Sequence, residues 1–168
     1  SSLLVGSLYI NEIYYHPGSK VSDIPFEFLE LVNGSDVPVT LYSSNVQRGW
    51  KVEGINLEFV PGTTIQPKGL MLLVPAALEQ EDMQAMDISV WDTSYVRATY
   101  QIPADVQIFA YNGKLSNRGE TIAVKQPYSN ETDSMDPSII KYFYTWHDAT
   151  LYSDGWDGLA EADGYGFS

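Results

Sequence analysis

Between Phe26 and Asn33 two carboxylates are set into an apolar run, Phe26-Glu27-Phe28-Leu29-Glu30-Leu31-Val32-Asn33. Charges alternating with aliphatic and aromatic residues at a period near two mark a half-buried strand. Leu8–Tyr15 reads as the strand before it. There Ile10 and Ile13 are an odd number of residues apart, so they share a face only if the strand is bulged near Glu12. His16-Pro17-Gly18-Ser19 and Asn33-Gly34-Ser35-Asp36 carry turn chemistry. Val37–Tyr42 is a short strand whose Pro38 suits a sheet edge. Further strands are expected at Gly49–Val52, Leu57–Val60, Val106–Tyr111, Thr121–Val124 and Ile139–Trp146. Leu70-Met71-Leu72-Leu73-Val74 is almost wholly apolar, as a central strand covered on both faces must be.

One segment breaks this rhythm. Residues 76–86 contain good helix formers without Gly or Pro, and Leu78, Met83 and Met86 can share a face, which predicts one short helix. Asp87–Pro103 is mixed, with strand propensity at Val90-Trp91 and Tyr95–Ile102. Asn112-Gly113 has the form of a hairpin turn, followed by a loop over 115–120. The polar run Ser129–Pro137 reads as another loop. Many short strands with a turn signal every ten residues or so predict an all-β sandwich or barrel.

Length fits one domain over residues 1–168, with residues 1–7 expected as a disordered leader. The net charge of −13, with nine basic residues and no basic cluster, argues against nucleic acid and against an anionic membrane surface. No apolar run is long enough to enter a bilayer directly. Cysteine is absent, which removes disulfides, thiolate chemistry and cysteine-based zinc sites. The twelve tyrosines suit strand packing, where the ring is buried and the hydroxyl stays wet.

Ile10-Asn11-Glu12-Ile13, then Glu27–Asn33, then Gly49-Trp50-Lys51-Val52, follow one another in a particular order. Phe59, Pro61-Gly62, Ile65, Pro67-Lys68-Gly69 and Leu70–Val74 come next, then Gly113–Val124 with its Leu-Ser-Asn-x-Gly-Glu core. Trp146, Asp157-Gly158 and Gly164-Tyr165-Gly166-Phe167-Ser168 close the series. This ordered set resembles the lamin tail domain of bacterial secreted type. The resemblance implies an immunoglobulin-like β-sandwich, in which residues 75–108 are an insertion relative to the family. Trp50 is then expected in the core, Gly69 and Gly119 at unusual backbone angles, and Asn117 holding a loop through its side chain.

His147-Asp148 beside serines lacks a nucleophile elbow, and no zinc, phosphate-loop or dinucleotide motif occurs. No catalytic residue is assigned and no enzyme activity is expected. Carboxylates are the stronger lead: Glu12, Glu27 and Glu30 on neighbouring strands, and Asp148, Asp154 and Asp157 near the end, are the candidate ligands of a calcium ion. Trp91, Tyr95, Trp146, Tyr152 and Trp156 are the candidate aromatic ligand-binding residues. Asn33-Gly34-Ser35 and Asn130-Glu131-Thr132 match the glycosylation sequon.

The resemblance implies a non-enzymatic binding or structural module. It would be part of a larger secreted or cell-surface bacterial protein, with a protein or carbohydrate partner at that surface. The alternatives are a calcium-dependent carbohydrate-binding module and, third, a hydrolase using a carboxylate pair such as Glu12 and Glu30.

Overall fold

The computed structural model describes residues 8–14, 26–115 and 119–153; at Gly119, Trp146 and 148–153 it describes the backbone alone. Residues 1–7, His16–Ser19, Asn117 and the closing motif after Ser153 lie outside the described residues. Strands dominate, arranged as two four-stranded sheets and two short two-stranded ones.

The first sheet runs β1 (Leu8–Tyr14), β2 (Phe28–Asn33), β9 (Leu70–Pro75) and β10 (Gln107–Tyr111), in that order. The bulge expected in β1 is present: the register with β2 shifts between Ile10 and Glu12. The extra residue brings Ile13 beside Leu29, on the same face as Leu31 and Leu73. β9 lies between an antiparallel β2 and a parallel β10, and its buried run matches the expected central strand.

The second sheet runs β12 (Ile140–Ser153), β11 (Gly119–Thr132), β6 (Lys51–Glu53) and β7 (Leu57–Glu58). Val52, Ile122 and Val124 from this sheet meet Leu29, Leu31, Met71 and Leu73 from the first in one core. Trp50 lies in that core, fully buried, with its ring 4.9 Å from the His147 ring. The short strands β3 (Val39–Thr40) with β8 (Thr64–Ile65), and β4 (Tyr42–Ser43) with β5 (Arg48–Gly49), close one side. Glycine is required at position 49, where a Cβ would stand 1.9 Å from the Phe59 carbonyl oxygen.

Four expectations are corrected. Instead of one helix over 76–86 there are two, α1 (Gln80–Ala85) and α2 (Thr93–Thr99). α2 forms because the Asp92 carboxylate accepts the Tyr95 N–H at 2.8 Å, an N-cap that outweighs the strand propensity of the segment. The polar run 129–137 is only partly a loop: β11 continues to Thr132, which pairs with Ile140 of β12, and residues 133–137 form the loop at the tip. Asn112-Gly113 makes no hairpin: Asn112 bridges to Asn56, and the chain passes from the first sheet to the second. The left-handed angle near Gly69 belongs to Lys68, at φ 59°, whereas Gly69 is needed because a Cβ would come within 2.9 Å of the Gln66 carbonyl.

Residues 75–106 pack on the outer face of the first sheet, opposite the shared core. Leu78, Trp91, Tyr95, Val96, Tyr100 and Ile102 cover Tyr14, Phe28, Leu72 and Val74 there, with Phe26 between. The fold is therefore layered: sheet, core, sheet, second core, helices.

Candidate functional site

The carboxylates nominated from sequence separate into two places. Glu12 and Glu30 are direct cross-strand partners on β1 and β2. Glu30 is only 2% exposed, and the Asn11 side-chain amide donates to its Oε1. The bulge that places Ile13 in the core also turns Asn11 toward this pair. The face that carries Glu30 is roofed by the insertion.

Glu27 is engaged elsewhere. Tyr111 Oη and the Leu115 N–H donate to its Oε1 at 2.8 and 2.9 Å, so the carboxylate anchors the segment that follows β10. Burial raises the Glu27 carboxyl above the usual carboxylate range, while the two hydrogen bonds and the Lys114 charge act in the lowering direction. The folded state thus holds this proton more tightly than the unfolded chain. Glu27's contribution to stability is complete below the ordinary value of 4.5 and is lost as pH rises through the folded value. Glu27→Gln retains an oxygen for both donors and removes the buried charge. Its melting temperature, measured against the parent chain, should climb relative to it between about pH 4 and pH 7. A difference that is flat with pH would contradict this assignment.

Among the described residues no three carboxylate or histidine side chains gather as a metal site. The Asp148 side chain, Asp154 and Asp157 lie outside the described residues, so the calcium set reduces here to the Glu12–Glu30 pair. His147 is buried and accepts the Leu8 N–H on Nε2 at 3.2 Å, tying β12 to β1 across the sandwich.

The nominated aromatics divide likewise. Trp91 and Tyr95 are half-buried in the second core. Trp91 stands edge-on to Phe26 with centroids 4.9 Å apart and donates Nε1–H to the Pro75 carbonyl at 2.8 Å. Its ring is thus engaged in packing, against Phe26 and Tyr95. Trp146 and Tyr152 lie on β12 opposite Lys125 and Glu120; their side chains, and Trp156, lie outside the described residues. Of the sequons, Asn33 has a wholly buried side chain, which leaves no room for a glycan on the folded chain.

Two features were not nominated from sequence. The first is the β11–β12 ribbon. β6 pairs β11 only from Ala123 to Lys125, so the strands continue beyond the sheet as a two-stranded arm. Arg48 and Lys51 hold one face of it, lying 4.5 Å over the Tyr142 ring and 4.2 Å over the Tyr144 ring. Strand alternation puts Phe143 on the other face. The Asp133 and Asp136 side chains fold the tip by accepting the backbone N–H groups of Met135 and Ser138. Of the nine large exposed hydrophobic residues among those described, five are on this arm: Tyr128, Met135, Ile139, Ile140 and Phe143.

The second feature is a cavity of about 320 Å³ between the first sheet and the end of the insertion. Glu30 and Leu72 form its floor, and Tyr100, Gln101, Ile102 and Val106 its wall and rim. The only trace of it in the sequence was Glu30, a carboxylate in a run otherwise fit for a buried strand.

Compared with known proteins, the chain matches no family model, no curated protein and no solved structure.

Proposed function

We propose that this chain is a non-enzymatic binding module with a lamin-tail-like, immunoglobulin-type sandwich, serving as one part of a larger secreted or cell-surface bacterial protein. The observation that carries the binding role is the concentration of exposed apolar side chains on the β11–β12 arm. Apolar side chains clustered on a projecting ribbon are an association surface. The arm between Lys125 and Thr145 has three carboxylates against two lysines, in a chain of net charge −13. Its charges nearly cancel, so contact there carries little of the net negative charge of the chain. Its partner is a protein that presents an extended apolar segment, laid along the outer edge of β12 in the manner of an added strand.

The ordered motifs support the family part of the proposal. Asn11-Glu12 marks the bulge, Trp50 and Phe59 fill the shared core, and the Pro-Gly turns precede the central strand β9. Two polar groups considered for chemistry have structural partners: His147 with Leu8, and Glu27 with Tyr111 and Leu115.

The test is the double variant Tyr128→Glu, Phe143→Glu, compared with the parent chain for binding to an extract of bacterial surface proteins. Both side chains are exposed, so the melting curves should superimpose. A discrete partner should bind the parent chain and be lost from the variant by about tenfold or more. Equal binding by both would remove the arm from the proposal.

A further inference from the structure

On the reading of the β11–β12 arm as an association surface, on which this rests, we propose that its partner is a second copy of this chain, with the two β12 strands paired antiparallel about a two-fold axis at Phe143. β12 ends the sheet order β12-β11-β6-β7, so among the described residues no strand pairs with its far side. The backbone N–H and C=O groups along such an edge are a template for one more strand. β1 meets β12 at His147, through the Leu8 N–H, which leaves residues 140–145, on the arm, as the open stretch among the described residues. That stretch is self-complementary. Tyr142-Phe143-Tyr144 reads the same in both directions, and an isologous contact favours such a sequence, because each residue must suit the one that the two-fold brings to it. With Phe143 on the axis, Phe143 meets its own copy, Tyr142 meets Tyr144, and Lys141 meets Thr145. Opposed residues of an antiparallel pair share a face. Phe143, Lys141 and Thr145 therefore meet on the open face, and Tyr142 and Tyr144 on the face held by Arg48 and Lys51. Aromatic pairs fill the centre of the ladder and no like charges are opposed.

Charge decides where two copies can meet. Each carries −13, so contact between their bodies is repulsive. The arm, with three carboxylates against two lysines between Lys125 and Thr145, adds little to that repulsion. Its direction helps as well. Antiparallel pairing about Phe143 sends the two bodies to opposite ends of the paired arms. Each body begins where β6 pairs β11 at Lys125, across from Trp146. In the paired arrangement the two Trp146 backbones stand roughly 20 Å apart along the ribbon, at about 3.4 Å per residue. That exceeds the screening length of about 8 Å at physiological salt. The arm thus lets two acidic chains share an apolar contact while their charged bodies stay apart.

Sedimentation equilibrium of the full chain, from about 1 µM to about 1 mM, tests this. A reversible monomer–dimer equilibrium is expected, with a dissociation constant on the order of 10–100 µM, as suits a contact smaller than a standard interface. Phe143→Glu and Phe143→Lys each set like charges on the axis, and each should weaken the dimer by about tenfold or more. Phe143 is 38% exposed, so both variants should melt with the parent chain. An equimolar mixture of the two should restore the dimer, because opposite charges then face each other; such rescue requires that position 143 meet itself. Should either variant fold poorly, Phe143→Asp with Phe143→Arg repeats the test. Raising NaCl from about 20 mM to about 300 mM should strengthen the parent dimer as repulsion between the bodies is screened. A parent chain monomeric at about 1 mM, a dimer indifferent to both variants, a dimer that salt dissociates, or a mixture no more associated than its components would overturn the second copy as partner. A monomeric parent chain that still takes a different protein from the surface extract, and loses it in the Tyr128→Glu, Phe143→Glu variant, would put that protein on β12 instead and leave the arm as the association surface.

Discussion

Asn33→Ala is expected to destabilise the fold by about 3–4 kcal/mol. The Asn33 amide is wholly buried and donates to three backbone carbonyls, Val37 at 2.8 Å, Ile65 at 3.0 Å and Gln66 at 3.1 Å. Its Oδ1 accepts from the Ser35 backbone N–H and hydroxyl at 3.0 and 2.7 Å. One side chain thus joins the end of β2 to the turn before β9. Alanine removes the side-chain donor from all three carbonyls; the Gln66 carbonyl keeps the Gly69 N–H at 2.8 Å and the Val37 carbonyl lies 3.0 Å from the Ser35 hydroxyl, so the loss falls mainly on Ile65 and on the Ser35 N–H, whose acceptor is deleted. Asn33→Asp keeps the shape and the acceptor but cannot donate, and it should be at least as damaging at neutral pH. Denaturant unfolding with an unchanged slope measures both; a loss under about 1 kcal/mol in either would refute this account.

Trp50→Ala should cost about 3–5 kcal/mol, the range for deleting a fully buried large aromatic ring. Trp50 heads the largest fully buried side chains, and its ring lies against His147, the residue that ties β12 to β1. The cavity left by alanine opens at the point where both sheets and the β1–β12 tie meet, so collapse of neighbours into it is restricted. Trp50→Phe, which retains an aromatic ring, should lose roughly half as much. Against a total stability of about 5–15 kcal/mol, the alanine variant removes a large share of the margin. Equilibrium unfolding decides it, and a cost below about 2 kcal/mol would mean that Trp50 is not a keystone of the core.

These two positions also show what the sequence makes legible. Trp50 declares its place because a tryptophan on a short strand between turn signals has few alternatives to the core. The β1 bulge is readable from the spacing of Ile10 and Ile13, and β9 from an unbroken apolar run. Asn33 looks like ordinary turn chemistry, since nothing local reveals that its amide reaches carbonyls more than thirty residues away. The arm was hidden for a related reason: beyond β6, among the described residues, one face of β11 and β12 is covered only by Arg48 and Lys51 and the other is open, so Ser129–Thr132 has no apolar core to alternate against. Helix α2 carries Thr, Tyr and Val, and only the Asp92 cap marks its start. The candidate sites were half legible. Glu12, Glu27 and Glu30 stood out, but register sends Glu27 to Tyr111 and pairs Glu12 with Glu30. The cavity requires the insertion to fold over them, which no local pattern announces.

The parallel pairing of β9 with β10 limits how residues 75–106 can change. Two parallel neighbours cannot be joined by a tight turn; the chain must return the length of a strand, which takes a dozen or more residues. Lengthening the excursion is cheap, at about 0.6 kcal/mol for each doubling of a flexible loop. Shortening it below that minimum would detach β10 from the sheet, whatever the remaining sequence. The segment can therefore acquire new residues freely but cannot be deleted, so relatives of this chain should vary here by growth and substitution while always retaining a crossover.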